Sequence, residues 1–128
     1  MRSAADARQT YPRQREFDAY LWDIHKYGLQ ILEITQGKSL ADFEQDETLR
    51  SGVERWVDMI GKAVLQMRLY HPEAAKQLER GEPFVKLQVA LPENHDPDHA
   101  QAVWDAIERE LPVLVAEVSV LLDEWHQG

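Results

Sequence analysis

The chain has 128 residues, of which 44% are hydrophobic and 29% charged, and its formal net charge is −9. This length and balance predict one soluble globular domain, and the absence of cysteine excludes disulfide bonds, thiolate nucleophiles and thiolate metal sites. No run of about 18 apolar residues occurs, so we expect no membrane span. The N-terminal residues have no apolar core, so we expect no secretory signal and place the chain in the cytoplasm.

The first 15 residues carry a local excess of positive charge. Arg2, Arg8, Arg13 and Arg15 are opposed only by Asp6. We interpret this segment as a flexible, solvated arm, with the alternative that it touches nucleic acid or an acidic partner. A single helical domain is predicted over residues 16–126.

The first long helix is predicted to begin after Glu16, because apolar residues then recur at intervals of three and four. Gly37 is expected to form a left-handed cap at its carboxyl end. Ser39 followed by Asp42 resembles a capping box, which would begin a short helical turn that reaches Phe43. The apolar stripe of the long helix consists of Phe17, Tyr20, Leu21, Ile24, Gly28, Ile31 and Ile34.

A second long helix is predicted between Asp46 and the pair His71 and Pro72. Its apolar residues again lie three or four positions apart, and proline disfavours helix in the residue before it. The stripe consists of Leu49, Val53, Trp56, Ile60, Val64 and Met67. The residues that we expect to carry the core are Leu49, Val53, Trp56, Ile60, Ile107 and Val118.

Two prolines mark the starts of two short helices. Pro72 suits the first position of a helix that we expect Gly81 to end. Pro83 opens a second segment, which must stop before Pro92. Only about two helical turns fit into that segment.

The last helical region is predicted to start at Asp96 and Pro97, an N-cap followed by a first-turn proline. Pro112 should kink this region or divide it into two helices. Its stripe consists of Val103, Ile107, Leu111, Leu114 or Val115, Val118, Leu121 or Leu122, and Trp125. No segment alternates apolar and polar residues as a half-buried strand would. We therefore predict an all-α domain, most simply an antiparallel bundle of four to five helices.

The last third of the chain is strongly acidic. Between Glu93 and Gly128, nine acids face one base, Arg109, which gives this part a net charge of −8. Such a surface repels a phosphate backbone. The charge therefore argues against nucleic acid as a partner of this third.

Three segments, which together cover more than half of the chain, carry a family resemblance. They are YLWDIHKYGLQILEITQGKSLADFEQDETLRSGVERWVDMIGKAVLQM (Tyr20 to Met67), YHPE (Tyr70 to Glu73) and AVWDAIERELPVLVAEV (Ala102 to Val118). In this order they resemble the HepT-like branch of the HEPN superfamily, the helical ribonuclease toxins that pair with minimal nucleotidyltransferase antitoxins. The resemblance implies a homodimer, a nucleotidyltransferase partner and no cofactor.

The activity of that family depends on a motif between the second and third segments. There an arginine lies five positions before a histidine, and a tyrosine lies two positions after it. The RNA's own 2′-hydroxyl is the nucleophile, histidine moves a proton near neutral pH, and arginine stabilises the phosphate as its charge builds. Two such motifs meet across the dimer interface of the family.

Only the histidine of this motif is present. If His95 takes its place, the arginine position is Ala90 and the tyrosine position is Pro97. Lys86 lies nine residues before His95 with Pro92 between them, and lysine lacks the two-pronged phosphate grip of arginine. We therefore predict a catalytically degenerate, dimeric interaction protein. The alternative is an active, metal-independent endoribonuclease that uses His95, with Lys86 or a residue of the second subunit as the phosphate contact.

The same loop also contains a set of potential metal ligands. His95 and His99 lie four residues apart, with Asp96 and Asp98 between them, and imidazole and carboxylate suit zinc, nickel or cobalt. Because His95 precedes the expected helix, we favour a polar linker with an acidic N-cap and predict no metal.

Trp22 falls off the apolar stripe of the first helix. We expect it to be exposed or half-buried, and a large rigid side chain in that place suits a protein interface. A third interpretation, an unrelated four-helix module, applies if the family resemblance is coincidental.

Overall fold

The computed structural model describes residues 16–90 and 97–127. These residues form helices and turns with no strand among them, so the predicted all-α class is confirmed for this part of the chain. The helices are α1 (Phe17–Thr35), α2 (Leu40–Gln45), α3 (Glu47–Tyr70), α4 (Pro72–Ala75), α5 (Glu82–Ala90), α6 (Pro97–Arg109) and α7 (Leu111–Gln127), with a 3-10 turn at Glu79–Gly81. The predicted arm, residues 1–15, lies outside the described residues.

The residues at the ends of the first three helices adopt the predicted caps. Gly37 has a φ of 74°, the left-handed conformation that glycine adopts without strain. The Asp42 carboxylate accepts a hydrogen bond from the Ser39 N–H at 2.9 Å, and the Ser39 hydroxyl accepts one from the Asp42 N–H at 3.1 Å. The pKa of the Asp42 carboxyl is lowered, mainly by the hydrogen bond from the Ser39 N–H and to a smaller extent by the hydrogen bond with the Ser39 side chain. Asp46 caps α3 by accepting from the Leu49 N–H at 3.0 Å.

Helix α3 packs against both α1 and α5, and α1 also packs against α7. The small helix α2 contacts α3 and α6, while α6 contacts α5 and α7. Because α3 has neighbours on two flanks, its buried face is wider than the single stripe predicted from the sequence. The buried residues of α3 are Val53, Val57, Ile60, Gly61, Ala63, Val64 and Met67.

The core predictions are confirmed in part. Val53, Ile60, Ile107 and Val118 are at most 3% exposed. Leu49 and Trp56 are only partly buried and pack against the edge of the core, because Val57 and Ala63 take up the wider inner face of α3. None of the described helices is long and apolar enough to cross a membrane.

Pro112 divides the last helical region, as one of the two predicted outcomes. Helix α6 ends at Arg109 and α7 begins at Leu111, so proline occupies the second position of α7. Proline is tolerated there because the first N–H groups of a helix have no partner within the helix. The apolar stripe nevertheless continues across the break, with Ile107, Leu111 and Leu114 all buried.

The prediction that Gly81 ends a helix was wrong. The short helix stops at Ala75, and the 3-10 turn that contains Gly81 leads directly into α5. Gly37 alone among the described glycines has a positive φ, so Gly81 is not a left-handed cap. Its small size serves packing instead, because a Cβ at this position would lie 2.8 Å from both methyl groups of Val64.

Candidate functional site

The structure describes only part of the predicted site. His95 lies outside the described residues, in the connection between α5 and α6. Ala90 and Pro97, which stand at the arginine and tyrosine positions of the motif, are the last residue of α5 and the first of α6. Lys86 lies on α5 and its side chain is exposed.

Lys86 lines an open groove of about 410 Å³ between α5 and α6. On each helix the lining residues are spaced by three or four positions, so one face of α5 and one face of α6 form the two walls. The lining residues are Pro83, Lys86, Leu87, Ala102, Asp105, Ala106, Arg109 and Glu110. Leu87 and Ala106 are the buried residues of the lining and form an apolar floor, whereas the charged residues of the lining are partly or fully exposed.

The two cations of the groove have no partner among the described residues. Neither Lys86 nor Arg109 forms an ion pair or hydrogen bond there. The acids of the groove do have partners. The Asp105 carboxylate accepts from the Gln101 side-chain amide at 2.9 Å, and the Glu110 carboxylate lies 4.0 Å from the guanidinium of Arg80 on the 3-10 turn. The groove thus presents two available positive charges above an apolar floor.

Arg109 was not among the predicted site residues. The sequence offered no signal for it, because it lies 23 positions after Lys86 and only the packing of α5 against α6 brings the two side chains to one groove. A basic residue in the last turn of a helix is also common for a local reason, since it interacts favourably with the helix dipole.

A second group of charges lies where α7 meets the 3-10 turn. Burial is the main cause that raises the pKa of the Glu117 carboxyl. A hydrogen bond from the Arg80 backbone and the positive charge of Arg80 oppose this rise, and the negative charge of Glu79 adds to it. One carboxylate oxygen of Glu117 is fully buried with no hydrogen-bond partner among the described residues. We interpret this group as part of the packing of α7 against the 3-10 turn.

His99 lies within the last helical region, as predicted, but it is a buried residue and not part of a polar linker. It lies in the first turn of α6 and is only 6% exposed. Its spacing of four residues from Val103, and of eight from Ile107, extends the buried stripe of α6 and could have revealed this from the sequence. In the described part of the chain, no three histidine or carboxylate side chains are grouped so that they could hold a metal ion.

Helix α1 carries a second apolar stripe outside the core. Trp22 and Leu29 are 48% and 46% exposed, and their spacing of seven residues puts them on one face. His25 lies between them, with its ring edge-on to the indole at a centroid distance of 5.9 Å. Leu32 continues the spacing and is partly buried. The exposure of Trp22 was predicted, whereas Leu29 was missed although positions 22, 25, 29 and 32 follow a regular three-and-four repeat.

Two further apolar side chains are exposed near the carboxyl end of α3. Leu65 and Leu69 are 39% and 69% exposed. Together with Gln66 and Arg68 they line a shallow groove of about 510 Å³. Among the described residues, exposed apolar side chains therefore occur on α3 as well as on α1.

No protein-family model, curated protein or solved structure matches the chain. No site residue is therefore carried over from a relative.

Proposed function

We propose that this chain is a HepT-like protein of the HEPN superfamily that has lost the ribonuclease motif and acts as a dimeric interaction protein, paired with a minimal nucleotidyltransferase. The proposed architecture is an antiparallel helical bundle. Support comes from the all-α structure of the described residues, from the short capped helix between α1 and α3, and from the break between α6 and α7 beside the leucine-proline pair Leu111 and Pro112.

The observation that carries the interaction role is the exposed stripe of α1. Trp22, His25 and Leu29 repeat at intervals of three and four residues, the spacing by which one helix packs against another. Large aromatic side chains contribute much of the binding energy of protein interfaces. A second copy of the chain that packs against this stripe would bury Trp22 and Leu29, which α1 leaves half exposed in the single chain.

The loss of cleavage rests on the residues around His95. A histidine without an arginine can still move a proton, but nothing then stabilises the charge that develops on the phosphate. Removing one such electrostatic contact commonly costs about 3 kcal/mol, or roughly a hundredfold in rate. Ala90 and Pro97 provide neither the clamp nor the tyrosine.

The test is an RNA cleavage assay in EDTA with labelled transfer RNA and messenger RNA as substrates. The parent protein and His95→Ala are compared at equal concentration, and we expect both to be inactive, or to show the same trace cleavage from contamination. Cleavage by the parent that disappears in His95→Ala would restore the ribonuclease and contradict the degenerate assignment.

A ribonuclease remains the second candidate because Lys86 and Arg109 line one groove. Two cations on α5 and α6 would replace the missing arginine if the loop between these helices brought His95 to the same phosphate. Lys86→Ala belongs in the same assay for this reason. Cleavage that is lost in both Lys86→Ala and His95→Ala would establish this second function.

The proposed pairing has a chemical signature as well. In the HepT-like family the antitoxin silences its toxin by transferring AMP to the tyrosine of the motif, and this chain has Pro97 at that position. We expect mass spectrometry to find no adenylyl group after incubation with ATP and a nucleotidyltransferase encoded beside this chain. A modified Tyr27 or Tyr70 would mean that the motif lies elsewhere.

A further inference from the structure

We propose that the groove between α5 and α6 docks an acidic segment of a partner protein, with an apolar side chain on its floor and carboxylates against Lys86 and Arg109. The proposal rests on the proposed interaction role, because it names the chemistry of a partner that such a protein would bind. It concerns a surface separate from the exposed stripe of α1.

The floor of the groove fits an apolar side chain. Leu87 and Ala106 are buried at 8% and 6% exposure, and Pro83 and Ala102 complete the apolar lining. Each of the two alanines fills only the volume of one methyl group between the helices, so the groove remains open above them. A leucine-sized side chain placed there would lose water contact on several sides, which is favourable by roughly 25 cal/mol for each Å² of apolar surface buried.

The sides of the groove fit carboxylates. Lys86 and Arg109 have long aliphatic stems, which can lie along an apolar floor while the charged ends reach its edge. Neither charge is used by another described residue, so an incoming carboxylate breaks no existing ion pair there. The Arg109 guanidinium can bind a carboxylate through two parallel hydrogen bonds, and Lys86 adds a point charge.

The surroundings favour a protein segment over nucleic acid. Asp105 and Glu110 line the groove, exposed Glu108 follows on α6, and the last third of the chain has a net charge of −8. A phosphodiester chain would bring one negative charge per nucleotide past these acids. The lining also contains no aromatic side chain on which a base could stack. A short segment with one or two carboxylates places its few charges at the two cations and meets less repulsion from these acids than a polyanion does.

The experiment is an NMR titration of the isotope-labelled full chain with the peptide acetyl-Gly-Glu-Leu-Glu-Gly-amide. We expect saturable shifts, centred on the amides of Lys86, Leu87, Ala106 and Arg109, with a dissociation constant on the order of 1 mM. The neutral peptide with Gln in place of both Glu should bind at least about fivefold more weakly, because it keeps the leucine and loses the charges.

Two charge-reversal variants separate the groove from the overall charge of the protein. Lys86→Glu/Arg109→Glu should weaken binding of the acidic peptide at least about tenfold. Lys38→Glu/Arg55→Glu changes two exposed cations outside the groove by the same total charge and should leave the affinity within about twofold. The chemical-shift spectrum of each variant shows directly that it is folded.

Three outcomes would overturn the proposal. They are no saturable shift with the acidic peptide, shifts that lie away from α5 and α6, and equal loss of affinity in both double variants. A short oligoadenylate titrated under the same conditions that shifts the groove more strongly than the peptide would replace the protein segment by nucleic acid. Light scattering of the same samples shows whether the protein is a dimer. If the protein is a dimer and the groove binds no peptide, the docking proposal alone is refuted and the proposed dimer is not.

Discussion

The contact between α1 and α7 and the contact between α5 and α6 both involve small residues, yet one is closed and the other open. On α1, Gly28 lies so close to α7 that a Cβ would come within 2.6 Å of a methyl carbon of Val115. On α6, Ala102 and Ala106 face Leu87 of α5 across a groove of about 410 Å³. The glycine lets the backbone of α1 approach the branched side chain of α7 closely. The small alanines of α6, flanked by lysine and arginine, leave space between α5 and α6.

The difference separates a contact that serves stability from one that is available for binding. The closed contact consists of apolar atoms that have already lost their water. At the open contact, Lys86 and Arg109 keep their water and have no ion-pair partner among the described residues. Substitutions on the closed side should therefore change the free energy of unfolding, and those of the open-side cations should change binding alone.

The largest effect is expected in the fully buried core, at Ile60 of α3. Ile60 is fully buried, so Ile60→Ala should lower the free energy of unfolding by about 2–5 kcal/mol through lost burial and the cavity left behind. Urea denaturation measures the change. Leu65→Ala on the same helix removes a side chain that is 39% exposed and should cost less than about 1 kcal/mol. A loss below about 0.5 kcal/mol for Ile60→Ala would mean that α3 faces the other way.

Gly28→Ala tests the closed contact itself. The added methyl group overlaps Val115, and we expect a loss of about 1–3 kcal/mol, the usual effect of overpacking. Gly52→Ala is the matched control, because a Cβ on Gly52 in α3 meets no atom within 4 Å and should stabilise the helix by about 0.5–1 kcal/mol. Adding Val115→Ala to Gly28→Ala should recover part of the loss. Equal stability of the two glycine variants would show that α1 and α7 are not in close contact.

A smaller, pH-dependent effect is expected at Glu117, beside the 3-10 turn. Burial raises its pKa above 4.5, so the folded state holds this proton more tightly than the unfolded state. The resulting stabilisation is present below pH 4.5 and is lost as the pH rises through the folded-state pKa. Glu117→Gln lacks this dependence, so its unfolding free energy relative to the parent should increase as the pH rises from 4.5. A difference between Glu117→Gln and the parent that stays flat with pH would refute the burial of Glu117.

The smallest effect on stability is expected at the open groove. Lys86→Ala should change the free energy of unfolding by less than about 0.5 kcal/mol, because the side chain is exposed and has no ion pair among the described residues. The adjacent Leu87 is 8% exposed, and Leu87→Ala should cost about 2 kcal/mol or more. Similar losses for the two variants would mean that Lys86 supports the fold and that the groove is not free for a partner.

The helical parts of this fold were predictable because their signals are local. The capping box of Ser39 and Asp42, the left-handed Gly37 and the break at Pro112 each depend on a few neighbouring residues. The role of Gly81 depends instead on a residue of another helix, Val64, and so it could not be separated from a helix cap by sequence alone.

The groove was out of reach of sequence reasoning for the same reason. Lys86 was identified as a cation that could meet phosphate, but its partner Arg109 and the apolar floor appear only when α5 packs against α6. The burial of His99 was within reach, since its spacing from Val103 continues the stripe of α6, but the nearby acids and prolines favoured a linker. His95 lies outside the described residues and stays a prediction.

The mass of the protein in solution, measured by light scattering at micromolar concentration, tests the central claim of a dimeric interaction protein most directly. We expect twice the chain mass of 14.8 kDa for the parent. Trp22→Glu/Leu29→Glu should give the monomer, because it places charges in the exposed stripe of α1, while Leu65→Glu/Leu69→Glu, which places the same charges at exposed positions of α3, should leave the dimer intact. A parent protein that remains at 14.8 kDa, or a dimer unaffected by the Trp22 and Leu29 substitutions, would contradict the account.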